Sequence, residues 1–198
     1  MTKYILNSGG TSKKPEKATL FFNEIIKDLG KNPKILYCIF ALPRETWEMR
    51  HRNFSELFNQ SIDSEIEPIF DLAFPDKFIE QIKNSDVVIL SGGDDHLLSY
   101  WLRQYDLSEI WSGKIIATNS ASSDILSKYF WTCDWRQCLT GLGILPIKFL
   151  PHYKSEYGAN DPRGPIDWDK AYKELAEYGD KTLPMHALEE GDFIVIEK

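Results

Sequence analysis

The chain of 198 residues is 42% hydrophobic and 27% charged, which suits a single α/β domain over residues 1–198 with a core that needs no staples. Its net charge of -7, without a Lys/Arg cluster, argues against a nucleic-acid partner, and no run of eighteen apolar residues offers a membrane span. The three cysteines, Cys38, Cys133 and Cys138, are odd in number and lack metal-ligand spacing, so a reducing, cytoplasmic compartment is expected.

The chain opens with a short strand at 4–6 that ends at Asn7-Ser8-Gly9-Gly10, a loop of the kind where α/β folds place ligands. A helix is predicted over 15–29, with Leu20, Phe21, Ile25 and Leu29 on its period and Gly30 stopping it. Residues 34–42 read as a strand without polar alternation, covered on both faces. A second helix follows at 47–59, a short strand at 66–72 and a short helix at 74–83. Residues 86–90 are the cleanest strand. They run into Ser91-Gly92-Gly93-Asp94-Asp95-His96 and then a helix marked by Leu97, Leu98, Trp101 and Leu102. Strand, turn and helix recur at 115, which implies a mainly parallel sheet with helices on both faces. Residues 129–135 read as aromatic and irregular, and 144–150 as a strand ending at Pro151-His152-Tyr153. A loop at 156–165 precedes an amphipathic helix at 166–178. Two closing strands, 183–188 and 192–197, look joined by a hairpin-type turn at Glu190-Gly191.

The chemistry centres on 114–124, Lys-Ile-Ile-Ala-Thr-Asn-Ser-Ala-Ser-Ser-Asp. A buried strand breaks into small polar residues, followed by Ile125, Leu126 and Tyr129 at helical spacing. That pattern leaves Ser120 at the tip of a sharp turn, as in a nucleophile elbow. The other reading is an ordinary strand-to-helix loop capped by Ser or Asn. In a doubly wound sheet, Gly92-Gly93 lies beside Ser120 and His152 comes within reach of both. A hydroxyl needs a base to become a nucleophile, and imidazole is the usual one near neutral pH. Asp134 is the acid best placed in sequence to orient that imidazole. The N–H groups of Gly93 and Ala121 are candidate donors for an oxyanion. Arg163, in the loop after His152, suits a substrate carboxylate, against the plainer reading of a solvated loop charge. His96 reads as a helix-start residue, Trp131, Trp135 and Tyr129 as core or a pocket wall, and Cys133 and Cys138 as buried thiols.

Three stretches together resemble the dipeptidase E-like serine peptidases, the aspartyl dipeptidases with their cyanophycinase relatives. They are Ser91-Gly92-Gly93-Asp94-Asp95, Thr118-Asn119-Ser120-Ala121-Ser122-Ser123, and Gly141-Leu142-Gly143-Ile144-Leu145-Pro146 with Pro151-His152-Tyr153. The likeness runs from about Tyr4 to the end. It implies a class I glutamine amidotransferase-like α/β sandwich, with Ser120 as nucleophile, His152 as base and Gly93 in the oxyanion hole. It also implies small peptide substrates, dipeptides with an acidic N-terminal residue among them, no metal or organic cofactor, and a monomer or homodimer. Asp94 is a further expected substrate contact. The chain departs from the family pattern where both elbow glycines become Thr118 and Ser122, and where Asn-Thr of the glycine turn becomes Asp94-Asp95. The opposing expectation is therefore a catalytically silent homologue that binds a small ligand in the same cleft.

Overall fold

The computed structural model describes all 198 residues. Its larger sheet has six strands. β1 (Lys3–Asn7) lies between β10 (Phe193–Glu197), which is antiparallel to it, and β5 (Ile115–Asn119), which is parallel. β4 (Val87–Leu90), β2 (Lys34–Cys38) and β3 (Ile69–Leu72) continue the sheet, all parallel. The helices among them are α1 (Pro15–Ile26), α2 (Trp47–Ser61), α3 (Phe78–Lys83), α4 (Asp95–Leu102), α5 (Leu107–Ile110) and α6 (Ala121–Leu126). All four residues of β4 are buried, as an apolar run covered on both faces requires. The principal core contains 37 buried residues, and its Phe21, Phe22, Phe40, Phe58 and Phe78 fill the space between sheet and helices.

A second sheet of four strands runs in the order β7 (Gln137–Thr140), β6 (Ser127–Thr132), β8 (Leu145–Leu150), β9 (Met185–Ala187). α7 (Trp168–Glu177) packs on it over a smaller cluster that includes Trp131, Leu150 and Leu175. Lys148 fastens the two. Its stem is buried, and its ammonium donates to the carbonyls of Leu175 and Ala176 at 2.9 and 2.7 Å, in the last turn of the helix, where carbonyls lack their full set of helical partners.

The α/β class read from the sequence holds, and three local expectations do not. Residues 129–135 are not irregular, because β6 runs through 127–132. The helix after Ser120 stops at Leu126, so Tyr129 belongs to a strand. A neighbouring segment ends that helix by donating from Leu142 N–H to the Ile125 carbonyl at 2.7 Å, and the Ser127 hydroxyl donates to the Ser123 carbonyl at 2.9 Å. The closing strands are not a hairpin. β9 pairs with β8 in the second sheet, β10 pairs with β1 in the first, and residues 188–192 cross between the sheets.

Candidate active site

Sheet register brings the first pieces together. Asn7 pairs with Asn119, and Leu90 with Thr118, so the loops after β1, β5 and β4 leave the sheet at one level. Ser120 follows at once with φ 54° and ψ -114°, a backbone conformation rare for a side chain other than glycine. The turn is anchored from both sides. Ser120 N–H donates to the Asn7 carbonyl at 2.9 Å, and its own carbonyl accepts from Ser123 and Asp124.

The hydroxyls that replace the elbow glycines lie under this turn. Ser122 Oγ donates to the Leu90 carbonyl at 2.8 Å and accepts from Asn119 N–H at 2.7 Å. Ser123 Oγ donates to the Asn7 carbonyl at 2.8 Å, so it accepts from Thr118 Oγ1, 2.7 Å away. None of the three hydroxyls enters the cleft. They tie β1, β4 and β5 to α6 in a fully buried seam, where each satisfied group avoids the cost of an orphan.

His152 follows β8, and its N–H donates to Ser8 Oγ at 2.7 Å. Its Nε2 lies 2.9 Å from Ser120 Oγ, and its Nδ1 lies 3.1 Å from Oε1 of Glu190. A carboxylate only accepts, so Nδ1 carries the ring proton and Nε2 is left to accept from the serine hydroxyl. Both His152 and Glu190 are buried, 5% and 8% exposed. Burial pulls the imidazole below the ordinary histidine range, and the hydrogen bond it donates to Glu190, with the charge of that carboxylate, partly offsets this. The ring is therefore neutral at neutral pH. Tyr157 stacks on it, ring centroids 4.2 Å apart. Gly9 has φ 98°, and a Cβ there would lie 2.5 Å from the imidazole and 3.1 Å from the Ser120 side chain. Only glycine lets this loop pass behind the Ser–His pair.

Ser120 opens on a cleft of about 90 Å³ that is also lined by Gly93, Ala121, Asp95, Asp124, Asp134 and Tyr157. Gly93 N–H has no hydrogen-bond acceptor in the protein, and Ala121, the first residue of α6, has no intrahelical acceptor. These are the two donors expected from the sequence. A side chain at 93 would also meet the Ala41 carbonyl at 2.4 Å, so glycine serves the fold there as well as the cleft.

Asp134 needs correcting as the acid behind His152. Its carboxylate accepts from the Tyr157 hydroxyl at 2.8 Å, and Nδ1 of the histidine faces Glu190 instead. The hairpin reading hid Glu190. A turn glutamate reads as solvated, whereas the crossing between sheets buries this one. Arg163 is also occupied. Its guanidinium holds Asp161 at 2.6–2.8 Å and the Asp134 carbonyl at 2.8 Å, on the exposed face of the loop. Asp94 caps α4 through Leu97 N–H at 2.8 Å, while its neighbour Asp95 faces the cleft. His96 and Trp135 meet edge-on at 5.7 Å, Trp131 lies in the small core, and Cys133 is buried. No helix of the chain is long and apolar enough to cross a membrane.

The family model described as peptidase family S51 matches residues 4–198. No curated protein matches the chain by sequence. Among solved structures, it is similar to a peptidase from an acI-B1 Actinobacterium at 25% identity and a TM-score of 0.65, over 99% of this chain and 83% of that one. It shares its fold with a Listeria monocytogenes EGD-e protein assigned to peptidase E, at 13% identity and a TM-score of 0.67, over 100% of this chain and 99% of that one.

Proposed function

The chain belongs to peptidase family S51 and is a serine-type peptidase, and from that premise we propose that it hydrolyses small peptides through Ser120, His152 and Glu190. The observation that carries this reading is the continuous chain Ser120 Oγ to His152 Nε2, 2.9 Å, and His152 Nδ1 to Glu190 Oε1, 3.1 Å. Ser120 Oγ attacks the scissile carbonyl carbon as Nε2 takes its proton. The C–N bond breaks as the imidazolium returns that proton to the leaving amine. Water then repeats the cycle on the acyl-enzyme. The N–H groups of Gly93 and Ala121 receive the oxyanion. Glu190 keeps the proton on Nδ1 and balances the imidazolium, and Asp134 acts at one remove by holding Tyr157 against the ring. The unpaired thiols fit a reducing cytoplasm.

The silent-homologue reading drew on Thr118, Ser122 and Asp94-Asp95. The first two are absorbed beneath the elbow, which favours an active enzyme. An acidic first residue, by contrast, finds no free guanidinium near Ser120, since Arg163 holds Asp161. The direct test is a fluorophosphonate probe. Ser120 should be labelled in the wild-type protein and left unlabelled in Ser120→Ala, and only the wild type should hydrolyse peptide mixtures. A folded wild-type protein that neither labels nor hydrolyses would leave a ligand-binding homologue.

A further inference from the structure

The loop after β1, Asn7-Ser8-Gly9-Gly10, has the composition of a ligand loop, yet it is occupied by contacts to the chain itself. The Asn7 carbonyl accepts from Ser120 N–H at 2.9 Å. Ser8 Oγ accepts from His152 N–H at 2.7 Å and donates to the Leu188 carbonyl at 2.8 Å. Those roles are fixed, because an N–H only donates and a carbonyl only accepts. Ser8 N–H donates to the Asp192 carbonyl at 2.9 Å, so Ser8 holds the main chain two residues before Glu190 and two residues after it. Asn7 Nδ2 and the Gly9 carbonyl hold Gly191 between them, at 3.2 and 2.7 Å. Ser120, His152 and Glu190 come from distant segments, and each is fastened to this one loop, the glutamate through its neighbours.

Two of those fastenings meet at the Ser8 hydroxyl, which is fully buried. Tyr153 N–H donates to the same Leu188 carbonyl at 2.8 Å. Residues 8, 152–153 and 188 therefore close a ring of three hydrogen bonds between the backbone of the base and the segment that carries its carboxylate. His152 has φ 54°, a left-handed conformation that persists only where the surroundings fix it. We propose that Ser8 is a positioning residue of the reaction, its hydroxyl setting the separation of the His152 imidazole from the Glu190 carboxylate. The proposal rests on His152 and Glu190 acting as base and orienting carboxylate. Without the hydroxyl the buried His152 N–H has no acceptor, which is costly. The left-handed turn then relaxes toward another partner and carries the ring away from Glu190. A misplacement of about 1 Å in a catalytic group costs on the order of 10²-fold in rate.

The test is a double-mutant cycle on the full chain, with Ser8→Ala and Glu190→Gln made singly and together, and the rate of fluorophosphonate labelling at Ser120 as the readout. In the wild-type background Ser8→Ala should slow labelling on the order of 10²-fold. In Glu190→Gln, where the separation has lost its purpose, the same change should cost less than about three-fold. Proton NMR reads the bond itself. The Nδ1–H of His152, held by a carboxylate, gives a low-field resonance that is identified by its loss in His152→Gln. In Ser8→Ala that resonance should move upfield as the bond to Glu190 lengthens. If Ser8→Ala does not fold, Ser8→Cys takes its place with the same signs, since a thiol is a weak donor and a weak acceptor of similar shape. An equal loss of labelling in both backgrounds, an unmoved resonance, or failure of both Ser8 variants to fold would overturn the proposal and leave the hydroxyl to the fold alone. Intact wild-type labelling with an unmoved resonance sinks this inference and spares the catalytic reading. A wild-type protein that does not label, with a resonance that still moves in Ser8→Ala, sinks the catalytic reading and keeps Ser8 as the residue that sets the separation.

Discussion

Ser120 is held to His152 by one hydrogen bond and to the fold by several, so removing its hydroxyl should leave the structure intact. Ser120→Ala is expected to lower turnover on the order of a million-fold with an unchanged unfolding temperature. The pH dependence follows from the buried imidazole. Burial disfavours His152 with a proton, so activity should rise with pH through one ionisation below the ordinary histidine range and stay level above it. Glu190 opposes that shift by favouring the charged ring. In Glu190→Gln the ionisation should move lower still, while kcat falls on the order of 10³–10⁴-fold because the amide no longer fixes the tautomer. A pH-rate profile of both proteins checks the sign, and an unmoved or raised ionisation would return Glu190 to a structural role. Asp124 carries the opposite sign. In the unfolded chain it ionises above about pH 4, but its folded environment resists this, so it lowers stability as pH rises past that point. Asp124→Asn should therefore stabilise the protein by about 0.5–2 kcal/mol at neutral pH and by little at pH 4, measured by denaturant unfolding. Ser120 and His152 were legible in the sequence because a strand that breaks at small residues, and a Pro-His at a strand end, are local patterns. Glu190, Tyr157 and the acidic cleft were not, since their roles come from contacts across the fold.

At the scale of the elements, the strands and helices of the larger sheet follow closely from apolar runs and their period. In the second sheet β8 and β9 read as strands, whereas β6 and β7 do not, being short, aromatic and partly polar, and the pairing of the three-residue β9 with β8 is not legible in the sequence. The elbow replacements show why a family departure need not be damage. A glycine there needs no partner, whereas a serine there has to be satisfied, and the carbonyl of Leu90 and the N–H of Asn119 do so. Ser122→Ala should leave those groups unmet and cost about 1–3 kcal/mol, with a loss of activity as the strained turn loosens. Equilibrium unfolding beside turnover on one substrate separates the two effects. A variant as stable as the wild type would show that water enters the seam freely.

At the scale of the whole molecule, the C-terminal segment is tied to the first strand and its loop by hydrogen bonds that span almost the entire sequence. Asn7 Nδ2 donates to the Gly191 carbonyl at 3.2 Å across 184 residues, Gly191 N–H donates to the Gly9 carbonyl at 2.7 Å, and β10 pairs along β1. Contacts so distant in sequence form late, because the loop they close must be ordered first. Truncation before β10 should therefore abolish Ser120 labelling and expose the β1 edge, read as lost activity and aggregation. A ribosome adds about 5–20 residues each second, so the nucleophile and its base are made well before the glutamate that completes them. During synthesis the emerging polypeptide holds an unassembled protease, and it stays inert toward itself and its neighbours on the ribosome until residues 188–197 have left the exit tunnel.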